Sequence, residues 1–253
     1  MADKRPSPIL HLLAGINGAG KTTLYYDRIK PHARVPFINA DEIQQKLWPN
    51  ENNPQRSYEA AQIAEKQREE HIRAGKSFAA ETVFSHPSKL ELIRDAQQAG
   101  FSVALYHVHV ATPELAKSRV ESRIAEGGHN VPEEKIFSRF PRTLAHLQDA
   151  VQMADRTLVF DNSKLMNPHR HLMTLERGRV VKLDENLPEW AHQQYGREIK
   201  IYQIMHQTKG VDLSESVQPG RLFGKEKKRE SNELQQENNQ TQESDRGKKP
   251  RKR

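Results

Sequence analysis

The stretch Ile9-Leu10-His11-Leu12-Leu13-Ala14-Gly15-Ile16-Asn17-Gly18-Ala19-Gly20-Lys21-Thr22-Thr23 decides the fold. Ile9 to Ala14 is apolar enough for a strand buried on both faces, as in parallel sheets. Gly15 to Thr22 match G-x-x-x-x-G-K-[ST] completely, and a helical pattern follows from about Thr22 to Ile29. Strand, glycine-rich loop and helix in that order make a phosphate cradle. Glycines let successive backbone N–H groups curl around phosphate oxygens without a Cβ in the way. The helix N-terminus adds partial positive charge. The expected nucleotide contacts are therefore Gly15, Ile16, Asn17, Gly18, Ala19, Gly20, Lys21, Thr22 and Thr23. Lys21 should reach the β- and γ-phosphates, and the Thr22 hydroxyl should ligate Mg²⁺. No guanine-reading N-K-x-D motif is present, which favours ATP.

Outward from this loop, strand and helix signals alternate, the pattern of a mostly parallel α/β sheet. Strands are expected at 35–38, 78–80, 101–110 and 157–160. Helices are expected at 58–73, 89–99 and from Pro113 to about Glu126, the last ending at Gly127-Gly128. Residues 133–140 and 143–153 read as two helices broken by Pro141. Beyond residue 165 the character changes. His171 to Glu176, the turn Arg177-Gly178 and Arg179 to Leu183 read as a small β-hairpin, and Pro188 to His206 as a C-terminal helix. From Lys209 onward the chain is rich in Gln, Asn, Glu and Lys and poor in apolar residues, the composition of a disordered tail. The expected organisation is a domain over 1–165, a hairpin and helix extension over 166–208, and a basic tail over 209–253.

Composition narrows the classes. With 253 residues, 35% hydrophobic content and a mean hydropathy of −0.88, part of the chain should lie outside a packed core. No cysteine is present, so disulfides and thiolate metal sites are excluded. The N-terminal apolar run is too short for a secretory signal, and no stretch approaches bilayer length, so a soluble cytoplasmic protein is expected. The net charge is +7, but residues 221–253 carry 11 Lys/Arg against 6 Asp/Glu, which leaves only +2 for residues 1–220. Nucleic acid is thus expected to meet this protein only through the tail.

Asn39-Ala40-Asp41 follows the second strand, twenty positions beyond Lys21. In an open parallel sheet the C-terminal strand ends line the active-site crevice. A carboxylate there can orient an acceptor hydroxyl and take its proton, or it can cap the helix that starts at Glu42. Glu81, directly after an apolar strand, reads as a ligand or metal contact. Arg119 and Arg123 are four apart and share a helix face, while Arg139 and Arg142 flank Pro141 on the next segment. Guanidinium groups on two segments joined at Gly127-Gly128 suit a lid that stabilises charge on a transferring phosphoryl group. Asp161-Asn162-Ser163 either contacts the adenine or ribose or forms a local turn. His107, His109 and His129 lack a third partner at metal-ligand spacing and read as structural or surface residues.

Several pieces in order resemble the zeta toxin family of P-loop kinases. They are residues 14–22, Phe37-Ile38-Asn39-Ala40-Asp41-Glu42-Ile43, Phe78 to Ser85, Arg119-Val120-x-x-Arg123, residues 127–132, Arg139-Phe140-x-Arg142 and Asp161-Asn162-Ser163. They cover about residues 9–163. The resemblance implies a P-loop kinase fold, ATP and Mg²⁺, and phosphorylation of a nucleotide sugar, UDP-N-acetylglucosamine in the best-known members. It implies that Asp41 is the catalytic base, that Glu81 and Thr82 contact acceptor or metal, and that Glu65 holds a sugar hydroxyl. Catalysis would fall to Lys21, Asp41, Arg119, Arg123, Arg139 and Arg142. The chain departs from those members between its two arginine-bearing segments, so Arg139 and Arg142 are both candidates for the second arginine. The resemblance also raises toxicity and an antitoxin partner. Two other readings stay open: another nucleotide or polynucleotide acceptor, and a non-catalytic ATP-binding switch with a nucleic-acid-binding tail.

Overall fold

In the computed structural model, the described residues are 6–49, 51, 53–125 and 131–207. The tail, the Gly127-Gly128 hinge and His129 lie outside them. Buried apolar positions drive the first strand, β1 (Ile9–Ala14), to the middle of a seven-stranded sheet. The other strands are β2 (Phe37–Ile38), β3 (Phe78–Thr82), β4 (Ser102–His109), β5 (Arg156–Asp161), β6 (Arg170–Glu176) and β7 (Arg179–Leu183). The strand order is β2-β3-β1-β4-β5-β6-β7. The first five strands in that order pair in parallel, and β6 and β7 add on antiparallel. This is the mostly parallel sheet that the alternating strand and helix pattern predicts.

Seven α-helices connect these strands among the described residues, α1 (Lys21–Leu24), α2 (Lys30–Ala33), α3 (Ala40–Leu47), α4 (Pro54–Arg73), α5 (Ser88–Gln98), α6 (Pro113–Ala125) and α7 (Glu133–Met153), and an eighth, α8 (Glu189–Gln207), follows β7. A π-helical turn, Tyr25–Ile29, joins α1 to α2. Alternation along the strands divides the core between the two sheet faces. Leu10, Leu12, Phe78, Ala80, Val103 and Leu105 pack with residues of α4, α5, α7 and α8. Leu13, Ala79, Val108 and Phe160 pack with residues of α1, the π turn, α6 and the start of α7.

One sequence expectation is corrected. Pro141 does not break the chain into two helices, because α7 runs through it. Pro141 is exposed, and buried Ile136, Thr143, Leu147, Ala150 and Val151 anchor the helix on both sides. The hairpin and last helix are continuous with the sheet and its core. β6 pairs with β5, and Ala191, Tyr195 and Ile199 of α8 join the first core cluster. Met1–Ile204 forms one compact unit; of the second, Met205–Arg253, only the last turn of α8 is described.

Candidate active site

The register aligns Ala14 with Thr82 and with His107, and His109 with Asp161, so the loops after β1, β3, β4 and β5 leave the sheet at one edge. The chain leaves β1 toward β2 on one side and later reaches β4 on the other. That topological switch point is where open α/β sheets bind ligands. The phosphate-loop motif sits there. Gly15, Gly18 and Gly20 have φ of 152°, 79° and 90°, and a Cβ at Gly15 or Gly18 would strike the carbonyl of Val108 or Ala116. The motif's glycines are therefore needed both for the loop's turn and for its seat against β4 and α6. Ile16 and Ala19 are buried under the loop, and Thr23 reaches the cavity wall.

Lys21 is almost wholly buried, which requires partners for its charge. Its Nζ donates to the Ile16 carbonyl at 3.0 Å and lies 3.4 Å from Glu81 Oε1. The second carboxylate oxygen of Glu81 accepts from the Thr22 hydroxyl at 2.6 Å and from Asn39 Nδ2 at 3.1 Å. Glu81 thus gathers both functional side chains of the loop. Mg²⁺ is held in such sites by one or two protein oxygens together with substrate phosphates. The Thr22 hydroxyl with Glu81 beside it fits that requirement. Among the described residues no cluster of three or more His, Cys, Asp or Glu could hold a metal unaided.

Asn39 takes the capping role that the sequence left open for Asp41. Its side-chain oxygen accepts from Asp41 N at 2.8 Å, and α3 begins at Ala40. The helix is capped by Asn39, so the Asp41 carboxylate is not needed for capping. Asp41 projects to the junction of two cavities. One, of about 570 Å³, runs along the phosphate loop past Arg119, Arg123, Asn162 and His169. The other, of about 610 Å³, runs past Glu65, Thr82, Lys135 and Arg139. Asn17, Asn39, Asp41 and Glu81 line both.

The arginines separate. Arg123 lies 3.9 Å from Asp41. Arg119 faces the first cavity with Nη1 buried and, among the described residues, without a hydrogen-bond partner, and burial lowers its pKa. Arg139 donates to the Asn17 side chain at 3.3 Å, from the wall of the second cavity. Burial, then repulsion from Arg142, lowers its pKa. Arg142 is not brought to either cavity. It is exposed and folds back on its own helix, donating to the Ser138 carbonyl at 2.9 Å.

Other residues resolve as well. Asp161 accepts from the Ser163 amide and hydroxyl, which makes the local turn. Asn162 faces the first cavity but also binds the phosphate loop, donating to Ala19 O at 2.8 Å. His107 and His109 are structural. Burial holds His107 well below its ordinary pKa and His109 down at about 4; His107 bonds Tyr195 at 2.6 Å and His109 stacks on Trp190.

Sequence reasoning missed three residues that line these cavities. His169 contacts the loop at Gly20 O, 2.9 Å away. Arg68 and Lys89 line the second cavity, their side chains making no hydrogen bond or close ion pair among the described residues, and burial lowers both pKa values. Only periodicity could have placed Arg68, since it lies one turn from Glu65 on α4.

The family model described as Zeta toxin matches residues 1–174. Among solved structures, AvrRxo1-ORF1:-ORF2 with ATP superposes with a TM-score of 0.56 at 15% identity, covering 78% of this chain and 63% of that one. The PezAT chromosomal toxin-antitoxin system of Streptococcus pneumoniae superposes with a TM-score of 0.50 at 14% identity, covering 81% and 91%. No curated protein matches the sequence.

Proposed function

The chain belongs to the zeta toxin family, and from that premise we propose that it is a kinase transferring the γ-phosphate of ATP to a hydroxyl of a nucleotide sugar, UDP-N-acetylglucosamine by family resemblance. One observation carries the reading: a cavity along the phosphate loop and a second cavity meet at Asp41. A kinase needs that arrangement, because donor and acceptor enter from different sides and meet at one base. A nucleotide switch needs only the first cavity.

In this mechanism Lys21 and the loop amides hold the β- and γ-phosphates. Asp41 accepts the proton of the acceptor hydroxyl as that oxygen attacks the γ-phosphorus, whose bond to the bridging oxygen breaks and releases ADP. Arg119 and Arg123 from α6 and Arg139 from α7 stabilise charge on the transferring oxygens. ATP supplies the phosphoryl group, and Thr22 beside Glu81 would hold a Mg²⁺ ion that, when bound, would offset the charge on the phosphate oxygens. Glu65 and Thr82 line the acceptor side. Half-buried Arg68 and Lys89 support an acceptor with its own phosphates, and Tyr58, 61% exposed on that cavity's wall, offers an aromatic face to a base.

Incubation with γ-labelled ATP, Mg²⁺ and a panel of nucleotide sugars, nucleotides and oligonucleotides tests this. Label on UDP-N-acetylglucosamine, reduced by roughly 10²–10⁴ in Asp41→Asn and lost in Lys21→Ala, is expected. Label on a different acceptor would keep the kinase and replace its substrate. ATP binding without label on any acceptor would overturn the kinase reading. A kinase that drains a cell-wall precursor is a toxin and requires an antitoxin partner, which co-expression rescue of bacterial growth would identify.

A further inference from the structure

Two side chains from beyond β5 reach back more than 140 positions to the carbonyls at the end of the phosphate loop. Asn162 Nδ2 donates to Ala19 O at 2.8 Å. His169 Nε2 lies 2.9 Å from Gly20 O, and since a carbonyl only accepts, the imidazole carries its proton on Nε2. The two residues also hold each other, because His169 N donates to Asn162 Oδ1 at 3.1 Å. Both are almost wholly buried, and both line the cavity along the loop. A Cβ on Gly20 would collide with Asn162 and crowd His169, so this glycine is required for the approach. His169 adopts a left-handed conformation, φ 49°, which few residues other than glycine, asparagine, aspartate and histidine take.

The consequence follows from the planarity of the peptide. In a trans peptide the C=O and the following N–H point in opposite directions. Pinning Ala19 O toward Asn162 turns the Gly20 N–H the other way, and His169, which shares Gly20 O with the helical bond from Leu24 N at 3.0 Å, helps to do the same for the Lys21 N–H. We propose that Asn162 and His169 are positioning residues that aim the Gly20 and Lys21 amides at a nucleotide phosphate. They touch no reacting atom; they act through the loop's main chain. The inference rests on the nucleotide-binding reading of that loop.

The test is calorimetric binding of ADP with Mg²⁺ to the full chain, beside melting of the nucleotide-free protein. His169→Asn keeps the left-handed backbone, which Asn tolerates, but its amide falls short of Gly20 O. His169→Gln restores the reach and the donor without an imidazole. Loss of one aimed hydrogen bond should weaken ADP binding roughly fivefold or more in His169→Asn. His169→Gln should stay within about twofold of wild type. Pyrophosphate should weaken in parallel with ADP, because the effect lies at the phosphate rather than at the base. Equal ADP affinity in His169→Asn and wild type would overturn the clamp, as would a loss in His169→Gln equal to that in His169→Asn. A drop in melting temperature in His169→Asn with unchanged affinity would make His169 merely structural and would overturn it too. Wild-type protein that binds neither ADP nor pyrophosphate would remove the nucleotide reading itself.

Discussion

Asp41 is not needed to cap α3, because Asn39 does so. Asn39 divides its amide between capping α3 and binding Glu81, which ties the start of that helix to the phosphate loop. The same economy separates the two candidate arginines. Arg139 reaches inward to Asn17 on the loop, whereas Arg142 turns outward to its own helix. Arg139→Ala is therefore expected to lower kcat by roughly 10²–10³, the usual cost of a lost charge-stabilising donor. Arg142→Ala should stay within about threefold of wild type. Steady-state assays with saturating ATP and acceptor separate the two. Equal losses would mean that α7 presents its arginines differently in the closed complex.

At the scale of elements, the hairpin shows how local and tertiary demands combine. Arg177 and Gly178 both have positive φ, 47° and 74°, the two-residue turn that matches strand twist. Gly178 also sits against the Gln152 side chain of α7, and Gln152 Nε2 donates to Glu198 of α8 at 2.9 Å. Gly178→Ala meets both constraints at once: a Cβ in the left-handed region and a displaced Gln152. A loss of about 1–2 kcal/mol in urea unfolding is expected. Gly178→Asn tolerates the turn better, so a smaller loss there would separate backbone strain from the contact with Gln152. The turn was legible from Arg177-Gly178 between two apolar runs. Its contact with α7 was not, because Gln152 is a polar residue on a helix face with no mark of its partner. The continuity of α7 through Pro141 was equally hidden, since a proline's effect depends on which face of the helix meets water.

For the molecule as a whole, β4 carries an acid-sensitive core. His107 and His109 are buried against Tyr195 and Trp190, and burial holds His109 down at about 4 from an ordinary 6.5. The unfolded chain binds a proton at each histidine near pH 6.5, whereas the folded protein resists it. The stabilisation is therefore complete above about pH 6.5 and is lost as pH falls toward 4. For His109 alone the loss is on the order of 3 kcal/mol. Melting temperatures should decline over that window, and His109→Phe should flatten the decline; an unchanged slope would assign acid sensitivity elsewhere.

What the sequence determined by itself was the order of the strands along the chain, the phosphate loop and the position of Asp41 after β2. Those features are local: an apolar run, a glycine spacing and a residue's distance from a strand end each follow from nearby covalent geometry. Tertiary structure alone decided that Glu81 unites Lys21, Thr22 and Asn39, that Arg139 and not Arg142 meets the loop, and that Asn162 and His169 hold its carbonyls. These contacts join residues far apart in the chain, and only the parallel register that gathers the strand ends at one edge brings them together.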